Sequence, residues 1–169
     1  YGYSSGSFIS SDGRYVTFNS LASTLVPNDT NNNWDVLLHD RLTGSTTRVS
    51  VGSGGTQGND TSSLGSPSAD GRFIVFSSDA NTLVPGDTNG AGDIFLHDVG
   101  TGSTTRIVVG VDGNQPSAQS GPVKMTANGR FAVFQSRAGN LVVGDTNNTA
   151  DIFIYDRVNG TTSRVSVGT

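Results

Sequence analysis

Oxygen-bearing side chains crowd one polar loop of the chain and return at a constant interval. The first copy holds Asp29, Asn31, Asn33 and Asp35, the second Asp87, Asn89 and Asp93, and the third Asp145, Asn147 and Asp151. Alternating Asp and Asn side chains are the hard donors that calcium takes, as in the D-x-[DN]-x-[DN]-G loop. Position 5 of that pattern is filled by Asn33, Ala91 and Thr149, and only Gly92 stands at position 6. Position 12 is Asp40, Asp98 or Asp156 instead of Glu. An extended strand starting near position 7 would carry Asp40 about 16 Å away, outside any common cage. The calcium reading is therefore a site of three or four side-chain oxygens completed by backbone carbonyls and water. The same residues also build Asx turns, in which the side chain accepts from a backbone N–H two residues on. Both readings give the loops a structural task.

The remaining chemistry-bearing residues repeat in the same way. His39 and His97 occupy equivalent places, with Tyr155 in the third. A general base is not expected at the same position of every repeat, so these histidines are expected to pack between units. Arg48, Arg106 and Arg164 recur with Asp40, Asp98 and Asp156, and a bidentate pair across the last hairpin of each unit is expected. Trp34, the single tryptophan, stands where the other loops have Gly92 and Ala150, either as a binding contact or as the cap of a sheet edge. No G-x-S-x-G elbow accompanies the histidines, and no cysteine offers a nucleophile or a thiolate ligand. No catalytic residue is assigned, and the chain is expected not to be an enzyme.

The elements that hold these residues follow from the repeat. "SDGRYVTF" (11–18) returns at 69–76 and 127–134, and "GSTTRVSVG" (44–52) returns at 102–110 and 160–168. Every step is 58 residues without insertion or deletion. Each unit reads as four strands, in the first copy near 7–10, over 14–20, over 34–40 and over 46–51. Asp-Gly forms the tight turn before the second strand, and a Gly/Ser/Asn-rich linker over about 52–65 leads to the next unit. The second and third strands are continuous apolar runs, as in Phe73–Phe76 and Ile94–Leu96, which means cover on both faces. Blades stacked in a ring provide that cover, so the expected fold is an all-β propeller with three four-stranded antiparallel blades, about 1–53, 54–111 and 112–169.

Composition bounds the rest. Net charge is −4 over 169 residues, and no Lys/Arg cluster marks a nucleic-acid surface. No apolar run approaches the roughly 20 residues of a membrane span.

The stretch "SPSADGRFIVFSS…DIFLHDVGTGSTTRIV" (66–108) resembles the WD40-like repeat of the TolB type, also called PD40. The resemblance covers all three units; it departs at Asn128, which replaces the turn Asp, and at Tyr155. It implies a propeller that meets proteins through its rims. Longer secreted bacterial proteins carry similar loops, so a secreted or cell-surface location is expected, with the periplasm as an alternative. Propellers usually need 4–8 blades. Three leave two open faces, to be covered by a second copy in a six-bladed dimer, by the rest of a longer propeller, or by copies stacked into a filament. The chain's ends frame whole blades, so no strand is expected to be exchanged across them. The functional expectation is a non-enzymatic scaffold for protein contact or self-assembly. The alternatives are a carbohydrate-binding propeller and an accessory domain of an extracellular hydrolase.

Overall fold

Short β-branched and aromatic runs separated by Gly, Asn and Asp cannot sustain a helical stripe, and they pair with their sequence neighbours. The computed structural model, which describes residues 2–167, accordingly contains twelve strands in three sheets. The first sheet comprises β1 (Ser4–Ile9), β2 (Tyr15–Ser20), β3 (Asp35–Asp40) and β4 (Ser45–Arg48). The second comprises β5 (Ser62–Pro67), β6 (Phe73–Ser78), β7 (Asp93–Asp98) and β8 (Ser103–Arg106). The third comprises β9 (Ser120–Met125), β10 (Phe131–Ser136), β11 (Asp151–Asp156) and β12 (Thr161–Arg164). Within each sheet the strands lie antiparallel in chain order, so every sheet is built from its own unit. Among the described residues no helix is long and apolar enough to cross a membrane.

Strand limits differ from the sequence expectation in two places. The first strand begins earlier than expected, at Ser4 in the first unit and, inside the expected linker, at Ser62 in the second. A register shift between Ser5 and Phe8, and again between Ser63 and Ser66, breaks that strand, so its N-terminal half reads as loop in the sequence. The fourth strand stops at Arg48, where the chain turns away after one further bond from Val49 N–H to the Val36 carbonyl, 2.9 Å.

The core is two slabs, one at each junction between sheets. Val36, Leu38, Ile74, Phe76 and Phe95 pack between the first and second sheets. Val75, Ile94, Val123, Ala132, Phe134 and Phe153 pack between the second and third. Alternate residues of β6 thus feed different slabs, which is why the run Phe73–Phe76 is apolar throughout. Phe76 stacks on Phe95 at 5.8 Å and Phe134 on Phe153 at 5.7 Å, one pair in each slab.

The two junctions repeat one set of contacts. The Ser62 N–H donates to the Trp34 carbonyl at 2.7 Å, and the Ser120 N–H to the Gly92 carbonyl at 2.8 Å. The Tyr15 ring lies flat on the turn at Gly71, where a Cβ would come within 2.5 Å of Tyr15 Cγ. The Phe73 ring lies the same way on Gly129, where the corresponding distance is 2.8 Å. Both glycines have positive φ, +66° and +67°, so each serves the turn and the close approach together.

Candidate functional site

The polar loops sit where the second strand of each sheet ends and the third begins, beside the last residue of the fourth. Register decides which groups meet there. Arg48 stands opposite Leu37, and side chains on one face alternate, so Arg48 shares its face with Asp35 and not with Asp40. The Arg48 Nη1 lies 3.1 Å from Asp35 and 3.3 Å from Asp29. Arg106 lies 3.0 Å from Asp93 and 3.2 Å from Asp87. Arg164 lies 2.9 Å from Asp145 and 3.5 Å from Asp151. In every loop a guanidinium bridges two nearly buried carboxylates.

The expected pairing of these arginines with Asp40, Asp98 and Asp156 is therefore overturned. Those three aspartates instead receive bidentate bonds from Arg14, Arg72 and Arg130, which follow the Asp-Gly turn: 2.9 and 2.7 Å to Asp40, 3.0 and 3.0 Å to Asp98, and 3.1 and 2.8 Å to Asp156. Hydrogen bonds from these arginines hold Asp40 and Asp98 below the ordinary carboxylate range and Asp156 down to about 2. The sequence reading passed over Arg14, Arg72 and Arg130; their signal was the recurrence of Asp-Gly-Arg or Asn-Gly-Arg at the same 58-residue step.

The asparagines of the loops form Asx turns. Asn31 Oδ1 accepts from Asn33 N–H at 2.9 Å, Asn89 Oδ1 from Ala91 N–H at 3.1 Å, and Asn147 Oδ1 from Thr149 N–H at 3.0 Å. Their amide nitrogens point at Asp35, Asp93 and Asp151. Asn33 donates to the Asn59 carbonyl in the linker at 3.2 Å instead of facing the carboxylates. Gln57 Nε2 adds a bond to Asp29 at 2.9 Å. Of the ten residues proposed as calcium ligands, Asp29, Asn31, Asp35, Asp87, Asn89, Asp93, Asp145, Asn147 and Asp151 do gather in threes. What stands between their carboxylates is an arginine, with amide N–H groups around it. That donor set does not fit a divalent ion unless the arginine leaves. Among the described residues no cluster of three or more His, Cys, Asp or Glu has metal-holding geometry.

The three clamps are not equivalent. Ser50 Oγ donates to Asp35 at 2.7 Å, and Ser166 Oγ donates to Asp151. The residue at the same step in the second sheet is Val108, which has no hydroxyl. Asp151 is accordingly lowered, first by Ser166. Asp93, covered on both sides in the middle sheet, is raised to about 6 by burial despite Arg106.

His97 is buried, and its Nδ1 bonds Thr104 Oγ1 at 2.8 Å. Because the Thr104 hydroxyl donates to the Val51 carbonyl, it accepts from His97, which assigns the proton to Nδ1. Burial lowers the His97 pKa. His39 repeats the bond with Thr46 at 2.9 Å. Thr104, held by His97, thus pins the linker after the first sheet to the outer strand of the second.

An open cleft of about 480 Å³ lies between the second and third sheets at the loop end. Ser63, Ser77, Asp79, Gln119, Gln135 and Arg137 line it. Burial, then Asp60, raises the Asp79 pKa. Leu64, which also lines the cleft, has φ +62°, an uncommon left-handed value for a branched side chain, at the bulge of β5.

Comparison with solved structures places this arrangement. TolB from Acinetobacter baumannii matches 98% of the chain with a TM-score of 0.58 at 17% identity, over 32% of its own length. A putative TolB from Agrobacterium tumefaciens matches 97% with a TM-score of 0.53 at 20% identity, over 48% of its length. The chain has the TolB-type β-propeller fold. The three sheets are its blades. The β-propeller domain of the Trilobed protease from Pyrococcus furiosus matches 96% of the chain with a TM-score of 0.57 at 12% identity, over 41% of its length. The chain thus spans less than half of each of these proteins and is a partial propeller. No family profile and no curated protein matches it.

Proposed function

We propose that the chain is a non-enzymatic propeller scaffold, secreted or displayed at a cell surface, which receives other macromolecules at the loop end of its blades. The observation that supports this most directly is how the charged residues are used. In each blade the loop arginine and the hairpin arginine are both committed to carboxylates of the same blade. The cleft between the second and third blades instead offers hydroxyls, amides, Asp79 and Arg137 to a partner. A protein partner suits this surface and the rim contacts that the TolB resemblance implies. Arrays of immobilised peptides and of glycans, probed with the chain and with the Gln119→Ala, Gln135→Ala double variant, test it. Peptide binding lost in the variant supports the reading.

A carbohydrate-binding propeller is the second reading, favoured by the same hydroxyl and amide lining, and glycan binding lost in the variant would establish it instead. Binding to neither array overturns both. The propeller domain of the Trilobed protease motivates a third, an accessory domain beside a hydrolase, which a catalytic domain in the parent gene would support.

The calcium reading of the loops has its own test. With arginine already between the carboxylates, millimolar calcium is expected to leave the melting temperature unchanged. A rise of several degrees would mean that the ion displaces the guanidinium.

A further inference from the structure

The two junctions inside the chain define what a blade face requires, and the third blade carries the same face uncovered. Thr17 and Val36 of the first blade, and Val75 and Ile94 of the second, are each fully buried against the following blade. Their counterparts at the 58-residue step on the third blade are Val133, 39% exposed, and Ile152, 38% exposed. Phe131 occupies the place of Tyr15 and Phe73, the rings that lie on the next blade's glycine turn. At the other end of the chain, β1 is exposed along almost its whole length, whereas its counterpart β5 is mostly covered.

The second junction shows a receptacle in detail. Phe73 lies on Gly129 and beneath Arg157, whose guanidinium carbon is 3.9 Å from the ring centroid. The same arginine donates to the Gly129 carbonyl at 2.7 Å. The first junction lacks this arrangement, because Val99 stands at the step of Arg157. There Tyr15, Gly71 and Val99 border an open cleft of about 430 Å³. The first blade possesses it: Arg41 donates to the Gly13 carbonyl at 2.6 Å, and Gly13 has φ +75°. A glycine turn with an arginine seated on its carbonyl thus stands on the leading face of the first blade, without a ring between them. The ring it fits is a phenylalanine at the position of Phe73, which is Phe131.

We infer that the open faces are covered by a second copy of this chain, the Phe131 of each entering between Gly13 and Arg41 of the other. The two contacts are identical and related by a two-fold axis, so three blades and three blades close a ring of six with no blade face left open. The inference rests on the propeller reading but not on the binding role proposed above. A chain that dimerises and binds nothing would refute the latter alone.

Light scattering coupled to gel filtration at tens of micromolar tests it on the 169-residue chain. The expected mass is about twice 17.5 kDa. Val133→Glu and Arg41→Asp, both on the open faces, are each expected to give a monomer with an unchanged strand spectrum. Because, among the described residues, the hydrogen bonds of Arg41 stay within its own blade, a monomeric R41D that melts like the monomeric V133E separates loss of the junction from loss of folding. A 17.5 kDa wild-type species, a polydisperse or larger assembly, or a V133E variant that remains dimeric would overturn the inference.

Discussion

Val108 separates Asp93 from its two counterparts. Asp35 and Asp151 each accept a serine hydroxyl, and the residue at that step in the second sheet is Val108, which has none to give Asp93. Val108→Ser is expected to bring Asp93 down from about 6 toward the ordinary carboxylate value near 4, read from its carboxyl ¹³C shift against pH. The stability consequence has a definite sign. Asp93 holds its proton more tightly folded than unfolded, so its contribution is full below its ordinary value of 3.8 and is lost as pH rises through about 6. Asp98 and Asp156 act in the opposite sense. Their arginine bonds stabilise the fold above the ordinary value, and that stability disappears as pH falls, through about 2 for Asp156. The arginine-bonded aspartates therefore give the urea midpoint an acid limb below about pH 4, and Asp93 adds a decline between pH 4 and 6 that His97, lowered by burial, opposes over the same range. In V108S the decline between pH 4 and 6 should flatten while the acid limb stays. Parallel midpoint profiles for the wild type and V108S from pH 4 to 6 would contradict the assignment to Asp93, since His97 contributes equally to both. Arg106→Ala probes the same clamp, leaving Asp87 and Asp93 facing each other without a cation. Chemical denaturation should show a loss of about 3–5 kcal/mol, the cost of an uncompensated buried charge.

At the scale of the strand, the repeat and the apolar runs made all three blades legible, because a strand buried on both faces leaves a signature that needs no partner to be read. Asp-Gly and Asn-Gly turns were legible for the same reason. Partner choice among charges was not. Nearness across the hairpin points Arg48 to Asp40, but the register puts Arg48 opposite Leu37, and parity then selects Asp35. The clue was present in the length of the turn, which sets the register; nothing in the residue types alone distinguishes one aspartate from the other. The loop residues showed the same limit: their spacing marks three converging oxygens, and only the fold brings an arginine from the fourth strand between them. Two glycines separate packing from conformation at this scale. At Gly65 a Cβ would lie 2.3 Å from Val36 Cγ1, and its φ is not in the left-handed region. Gly86 has φ +73° with open space around it. Gly65→Ala should cost about 1–3 kcal/mol through overpacking at the first junction, and Gly86→Ala about 1 kcal/mol through backbone strain. Equal urea midpoints for the two variants would deny that the junction is tightly packed at Gly65.

Over the whole molecule, stability should be graded by cover. A stacked array gains its energy from each unit and from each junction, so a unit with two junctions opens last. The second blade has a neighbour on both faces, whereas the first and third have one each. In a single copy, amides of β6 and β7 should therefore exchange with deuterium more slowly than those of β10 and β11, although all four strands are fully paired within their sheets. Closing the ring with a second copy gives the third blade its missing neighbour and should raise β10 and β11 to the protection of β6 and β7. Association is a mass-action effect, so the difference should reappear on dilution while β6 and β7 hold their rates. If protection were equal across the three blades at every concentration, the chain would be one cooperative block. Its open face would then contribute nothing to stability, and neither the graded array nor its completion by a partner blade would describe it.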